Sequence, residues 1–147
     1  MHPVNPTHPL PRMFSAQMNM LPEALDFVAG VCVDNGFDQN TALRTRLVIE
    51  ELFTNSVHHG YRNNGGMIWL TARSDNQRLL VGYQDEAPAY NPLAMSEAAI
   101  QAMHAHADCR PVGGLGAILI MNLADSVSYR YRDGRNMLDL VFFDRSV

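Results

Sequence analysis

Three short segments, in fixed order, hold the groups that could do chemistry: Glu50-Glu51-Leu52-Phe53-Thr54-Asn55-Ser56-Val57-His58-His59-Gly60, then Asp85-Glu86-Ala87-Pro88, then Gly113-Gly114-Leu115-Gly116. The first lies in a helical pattern where Glu51 and Asn55 project from one face, one turn apart, so a carboxylate and an amide converge. The third is a glycine-rich loop that runs into apolar Ala117 to Leu123. Such a loop offers backbone N–H groups and a helix N-terminus to phosphate. Nucleotide chemistry, with ATP as the ligand, is the economical reading of the three together.

The elements that must carry these groups follow from pattern and punctuation. Leu21 to Asn35 has Pro22 in a first-turn position, Leu25, Val28, Ala29 and Cys32 at helical spacing, and Gly36 as a stop. Asp38 can cap the next helix, whose Leu43, Leu47, Leu52, Phe53 and Val57 predict an apolar face ending at Gly60. Met67 to Arg73 and Leu79 to Tyr83 read as a hairpin around Ser74-Asp75-Asn76-Gln77, which puts Asp85 at a strand end. Met95 to Ala107 is helix-compatible between Pro and Gly hinges and reads as a lid. Ala117 to Ala124 reads as a helix, and Val127 to Arg132 and Met137 to Phe143 as strands around the Asp133-Gly134 turn. The order is strand or tail, two helices, two strands, lid, helix, two strands. It predicts an α+β two-layer sandwich with a mainly antiparallel mixed sheet.

Composition narrows the function. A chain of 147 residues suits one domain, and 47% hydrophobic residues with a net charge of -4 describe an ordinary globular protein. Nothing is basic enough for an electrostatic nucleic-acid binder. All 11 positive residues are Arg. A P-loop needs its Lys on the phosphates and the protein-kinase fold needs a strand Lys, so neither of those ATP architectures can operate here. Cys32 and Cys109 suggest no disulfide framework, and the Pro-rich segment 1–12 reads as a flexible tail without an apolar leader core. No apolar run approaches membrane-spanning length, and a reducing cytoplasm is the expected location. His104, His106 and Cys109 form an H-x-H-x-x-C group that lacks a fourth ligand for zinc. His58 and His59 read as surface or helix-end residues rather than catalytic ones.

Three ordered motifs at this spacing resemble those of the histidine-kinase-like ATPases of the Bergerat fold, and within them the small anti-sigma-factor serine/threonine kinases. The resemblance covers residues 13–147, which it implies form one ATPase domain. It implies that Glu51 polarises the attacking hydroxyl, that Asn55 coordinates Mg2+, and that Asp85 with the neighbouring Ala87 position reads adenine. It also implies that Gly113, Gly114, Leu115 and Gly116 contact the phosphates, with Arg110 as a clamp in the lid. Those residue types suit those roles. A carboxylate can accept a hydroxyl proton, and an uncharged amide oxygen suits a hard cation already neutralised by phosphates.

One departure stands out: the family usually has Gly where this chain has Ala87 and Ala89. An Ala forced into left-handed geometry costs about 1 kcal/mol.

The activity implied is that of a Mg-ATP-dependent kinase that phosphorylates a small antagonist protein and binds a sigma factor, with a homodimer as the family-consistent assembly. Two other readings stay open. One is a nucleotide-controlled binding module without significant turnover, and the other is a detached histidine-kinase catalytic domain, ranked last because no phosphoacceptor segment precedes the fold.

Overall fold

The computed structural model describes residues 9–94 and 114–145. Strand β1 (Arg12–Ser15) leads through a short turn of helix into α1 (Leu21–Asp34) and α2 (Gln39–Asn55), and α2 continues as a π-helical turn, Ser56–Gly60. The hairpin β2 (Met67–Asp75) and β3 (Arg78–Asp85) follows, then α3 (Gly114–Leu123) and the hairpin β4 (Ser126–Arg132) and β5 (Arg135–Phe143). The five strands form one sheet in the order β1-β2-β3-β5-β4, and each pairing is antiparallel. This is the α+β two-layer arrangement expected from the sequence.

Local chemistry explains the elements. Pro22 stands in the first turn of α1, where its missing N–H costs nothing. Asp38 caps α2 by accepting the Thr41 N–H at 2.7 Å. Both hairpins turn through two left-handed residues, Asn76 and Gln77 (φ 49° and 64°) and Asp133 and Gly134 (φ 54° and 76°), whose twist matches that of the strands. The strands alternate as a half-buried sheet must. Ile68 and Leu70 of β2, Leu79 and Val81 of β3, and Leu138, Leu140 and Phe142 of β5 turn to one face, where they join Val48, Ile49, Leu52 and Phe53 of α2 in the core.

Three expectations shift. The buried face of α2 does not include Leu43 and Leu47, which are 52% and 36% exposed; Thr41, Arg44 and Thr45 are buried instead. The reason is Arg44, which uses all five of its N–H donors. It donates to Asn40 Oδ1, the Thr41 hydroxyl, the Leu123 and Phe143 carbonyls and Asp125 Oδ2, tying α2 to the ends of α3 and β5.

Second, the α-helical ladder stops at Asn55 rather than Gly60. From there Tyr61 N–H reaches back five residues to the Ser56 carbonyl at 2.7 Å, which widens the turn. Third, α3 begins at Gly114, so Gly114, Leu115 and Gly116 belong to a helix's first turn rather than to a preceding loop. The lid segment and the residues of the H-x-H-x-x-C group lie outside the described residues.

Candidate functional site

Asp85 ends β3 in the middle of the sheet and is 7% exposed. Its carboxylate accepts three hydrogen bonds: from Ser56 Oγ to Oδ2 at 2.6 Å, and to Oδ1 from Asn136 Nδ2 at 2.8 Å and the Ala87 N–H at 3.2 Å. Ser56 is delivered by the widened turn after α2, and its hydroxyl also lies 2.6 Å from the hydroxyl of fully buried Tyr83. Burial, and secondarily the negative charge of Asp85, push the Tyr83 phenol well above its ordinary pKa, against the opposing hydrogen bond from Ser56. Tyr83 therefore stays a neutral O–H donor. Its hydroxyl donates to the Leu52 carbonyl at 3.0 Å, and Ser56 carries the contact on to the carboxylate.

Asn136 of β5 is Asp85's direct cross-strand partner. Its Nδ2 also approaches the Ala87 and Pro88 carbonyls at 3.0 and 3.2 Å, and its Oδ1 accepts the Tyr90 N–H at 3.0 Å and the Tyr129 hydroxyl at 2.6 Å. Sequence reading missed Asn136, although the signal was present. It is an amide in the inward parity of a strand whose other inward residues are Leu138, Leu140 and Phe142.

The second motif's alanine needs no strained backbone, because Ala87 is absent from the residues with positive φ. Its methyl is buried at 3% exposure and faces Gly60, where an added Cβ would come within 2.8 Å of it. The glycine that ends the first motif therefore makes room for the alanine of the second. Tyr61 braces the same corner, its hydroxyl donating to the Met67 carbonyl and accepting the Glu86 N–H, each at 2.6 Å.

One turn up α2, Asn55 Nδ2 donates to Glu51 Oε1 at 3.0 Å, so the amide and carboxylate meet as their spacing predicts. That bond commits the nitrogen and leaves the Asn55 carbonyl oxygen as the atom able to ligate a cation. A Cβ at Gly116 would collide with the Glu51 carboxylate. The third motif is therefore packed on the first, and the first turn of α3, with its N–H groups free of intrahelical partners, begins beside Glu51. Gly114 and Leu115 belong to that turn, while Arg110 and Gly113 lie outside the described residues.

A cavity of about 400 Å3 runs between Asp85 and Asn55; Glu51 and the described residues of α3 are not part of its lining. Asn55, Ser56, Asp85, Ala87 and Asn136 line it, and Leu52, Tyr83 and Leu138 give it apolar walls. His59 and Arg62 also line it, so two residues not picked out as site residues bring basic groups to a Lys-free site. A few polar groups converging in an apolar pocket of this size is the usual form of a small-molecule site. The residues suit a purine nucleotide, with the buried Asp85 carboxylate and the Asn55 amide both in the lining and Glu51 bonded to that amide. The amide oxygen also fits Mg2+, which keeps several waters and takes one or two protein ligands plus phosphates.

No curated protein matches the chain in sequence. Among solved structures, a chain of the SiaB-SiaC complex from Pseudomonas aeruginosa shares the fold at TM-score 0.52 and 12% identity, over 89% of this chain and 88% of that one. The Acinetobacter baumannii histidine kinase AdeS aligns at TM-score 0.48 and 11% identity, over 92% and 68% of the two chains. The catalytic domain of histidine kinase ThkA aligns at 0.47 and 11%, over 90% and 96%. No helix among the described residues is long and apolar enough to cross a membrane. The family model for the histidine kinase-like ATPase domain matches residues 14–142, nearly all of the sheet and helices that build the cavity, and the chain belongs to that ATP-binding family.

Proposed function

We propose that this protein is a Mg-ATP-dependent protein serine/threonine kinase of the anti-sigma-factor type, with its kinase domain spanning residues 13–147 and Arg12, placed in the tail by the sequence, joined to the domain's first strand. The observation that carries the reading is the meeting of all three motifs: Asn55 and Asp85 line one cavity, and Glu51 joins Asn55 on one side and Gly116 on the other. Asp85 accepts the exocyclic amine of adenine. Gly113 to Gly116 and Arg110 offset phosphate charge, in a chain where backbone and Arg must replace Lys. Asn55 holds Mg2+, which when bound neutralises the phosphate oxygens. Glu51 accepts the proton of the attacking serine or threonine hydroxyl, and its bond from Asn55 keeps the carboxylate aimed along α2.

The phosphoacceptor is a small antagonist protein and the second partner a sigma factor, in the cytoplasm, with a homodimer as the working assembly. That a structure of the same fold is a complex of SiaB with SiaC supports a protein partner. Two measurements test nucleotide use. Mass spectrometry of small molecules released from the purified protein should find ADP or ATP, and calorimetry should show ADP binding strengthened by magnesium. No nucleotide released and no heat of binding would reject the reading.

The packing of α3 on Glu51 adds a sharper expectation. Gly116→Ala places a methyl where the Glu51 carboxylate sits. The carboxylate is the far end of a flexible side chain, so it swings aside at little cost to the fold. Misplacement of a reacting group by about 1 Å is enough for a 10²-fold loss. Phosphotransfer should fall about that much while the thermal midpoint hardly moves, and a variant with undiminished turnover would separate Glu51 from the chemistry.

A further inference from the structure

We infer that Asn136 is the positioning residue that fixes the base-reading carboxylate and the loop beside it, and so sets the preference for adenine over a 6-oxopurine. This rests on the nucleotide reading given above. A carboxylate offers about four lone-pair sites. On Asp85, Asn136 and the Ala87 N–H fill Oδ1, and Ser56 takes one site of Oδ2. One acceptor site is left, on Oδ2, which suits a ligand bringing one N–H.

Asn136 controls more than the carboxylate. Its amide approaches the carbonyls of Ala87 and Pro88 and accepts the N–H of Tyr90, so one buried side chain pins three points of the loop that walls the cavity. The Tyr129 hydroxyl, from β4, donates to the same Oδ1 and fixes which way the amide points. That orientation presents Nδ2 to Asp85. The bond keeps Asp85 from turning Oδ1 toward the ligand, and the pinned loop keeps Ala87 against Gly60 rather than in the base's space.

A 6-oxopurine brings an acceptor where adenine brings a donor, and meets a fixed carboxylate that has no proton to give. Sites built around a hydrogen bond to the ligand reject analogues that cannot make it far more strongly than apolar pockets do. A carboxylate free to rotate would discriminate less. Asn136 touches no ligand atom in this account, so its effect is on selectivity through Asp85.

The test compares ADP with IDP, its 6-oxo counterpart, by calorimetry on the full chain. The wild-type protein should prefer ADP by about 100-fold or more. Asn136→Leu keeps the volume but removes both the donor and the acceptor. Asn136→Asp keeps the shape and the acceptor for Tyr90 and Tyr129, but replaces the donor with an oxygen and sets a second carboxyl against Asp85. In both variants ADP affinity should fall about tenfold or more while IDP affinity changes little, so the ratio collapses.

A purely structural role would weaken both nucleotides together and leave the ratio intact; that result in either variant, or wild-type ADP affinity in both, overturns the inference and leaves the nucleotide reading standing. Failure of wild-type protein to bind ADP would overturn both.

Discussion

Replacing Glu51 with Ala is expected to lower phosphotransfer to the protein acceptor by about 10²- to 10⁴-fold, the usual contribution of a positioned general base. ADP affinity should stay within about threefold of wild type, because the adenine end of the cavity is built from Asp85, Ser56 and Asn136, none of which touches Glu51. The change removes the acceptor of the Asn55 amide, so Glu51→Gln is the companion variant: it keeps the length and a carbonyl to hold Asn55 in place, but is no proton acceptor. Both variants should lose turnover and keep nucleotide. Single-turnover transfer from labelled ATP, beside a calorimetric titration, separates the two effects. Unchanged turnover in either variant would reject the base assignment, and loss of nucleotide from both would show that Glu51 is part of the binding site instead.

The second large effect is on stability. Arg44 lies in α2, 6% exposed, and its five N–H donors meet five acceptors on three elements and the segments between them. Arg44→Ala leaves the Leu123 and Phe143 carbonyls without that donor and Asp125 without its buried cation. Removing one member of a buried ion pair costs about 3–5 kcal/mol where the other charge is left uncompensated; Arg145 still faces Asp125 at 2.8 Å, so the orphaned carbonyls supply much of the loss and the lower end of that range applies. For a chain of this size the thermal midpoint should drop by about 10 °C or more. Arg44→Lys should fall between, since a single ammonium cannot reach acceptors spread around a planar fork. A midpoint within about 2 °C of wild type in Arg44→Ala would mean that the network contributes little.

Asp125 adds a pH signature to that network. Its partial burial raises its pKa, but the Phe143 N–H, Arg145 and Arg44 outweigh that and hold the carboxyl below 3.8. A carboxylate with a depressed folded value contributes stability that is present above the unfolded value and lost as the pH falls through the folded one. The thermal midpoint should therefore fall as the pH drops below the ordinary carboxylate range, and less steeply there in Arg44→Ala, which removes one of the interactions depressing that value. The same slope in both proteins would show that Arg44 does not depress the Asp125 pKa.

Much of the fold was readable because it rests on local rules. Pro22, Asp38 and the Asp133-Gly134 turn punctuate the chain by chemistry confined to a few residues, and period-two alternation marks β2, β3 and β5. The Glu51 and Asn55 spacing was enough to put those side chains in hydrogen-bonding contact. What escaped was set by tertiary context. Leu43 and Leu47 fit an apolar stripe, but Arg44 takes the buried face because acceptors far along the chain, at Leu123, Asp125 and Phe143, come to meet it.

The widened turn at Ser56 had no sequence signature, yet it puts a hydroxyl under Asp85. The doubt attached to Ala87 dissolves for a similar reason. Gly60 stands opposite it, and no pattern along the chain pairs those two residues. Asn136 was the one missed residue with a legible sign, a lone amide at an inward strand position.

The cavity lined by Asp85 and Asn55 is the proposed ATP site of a protein kinase. The most direct measurement is a crystal structure of the protein grown with Mg2+ and ADP. The adenine amine is expected on Asp85 Oδ2, the phosphates toward Asn55 and the first turn of α3, and magnesium on the Asn55 carbonyl oxygen. Nucleotide bound elsewhere on the molecule, or seated in the cavity with its base away from Asp85, would contradict it.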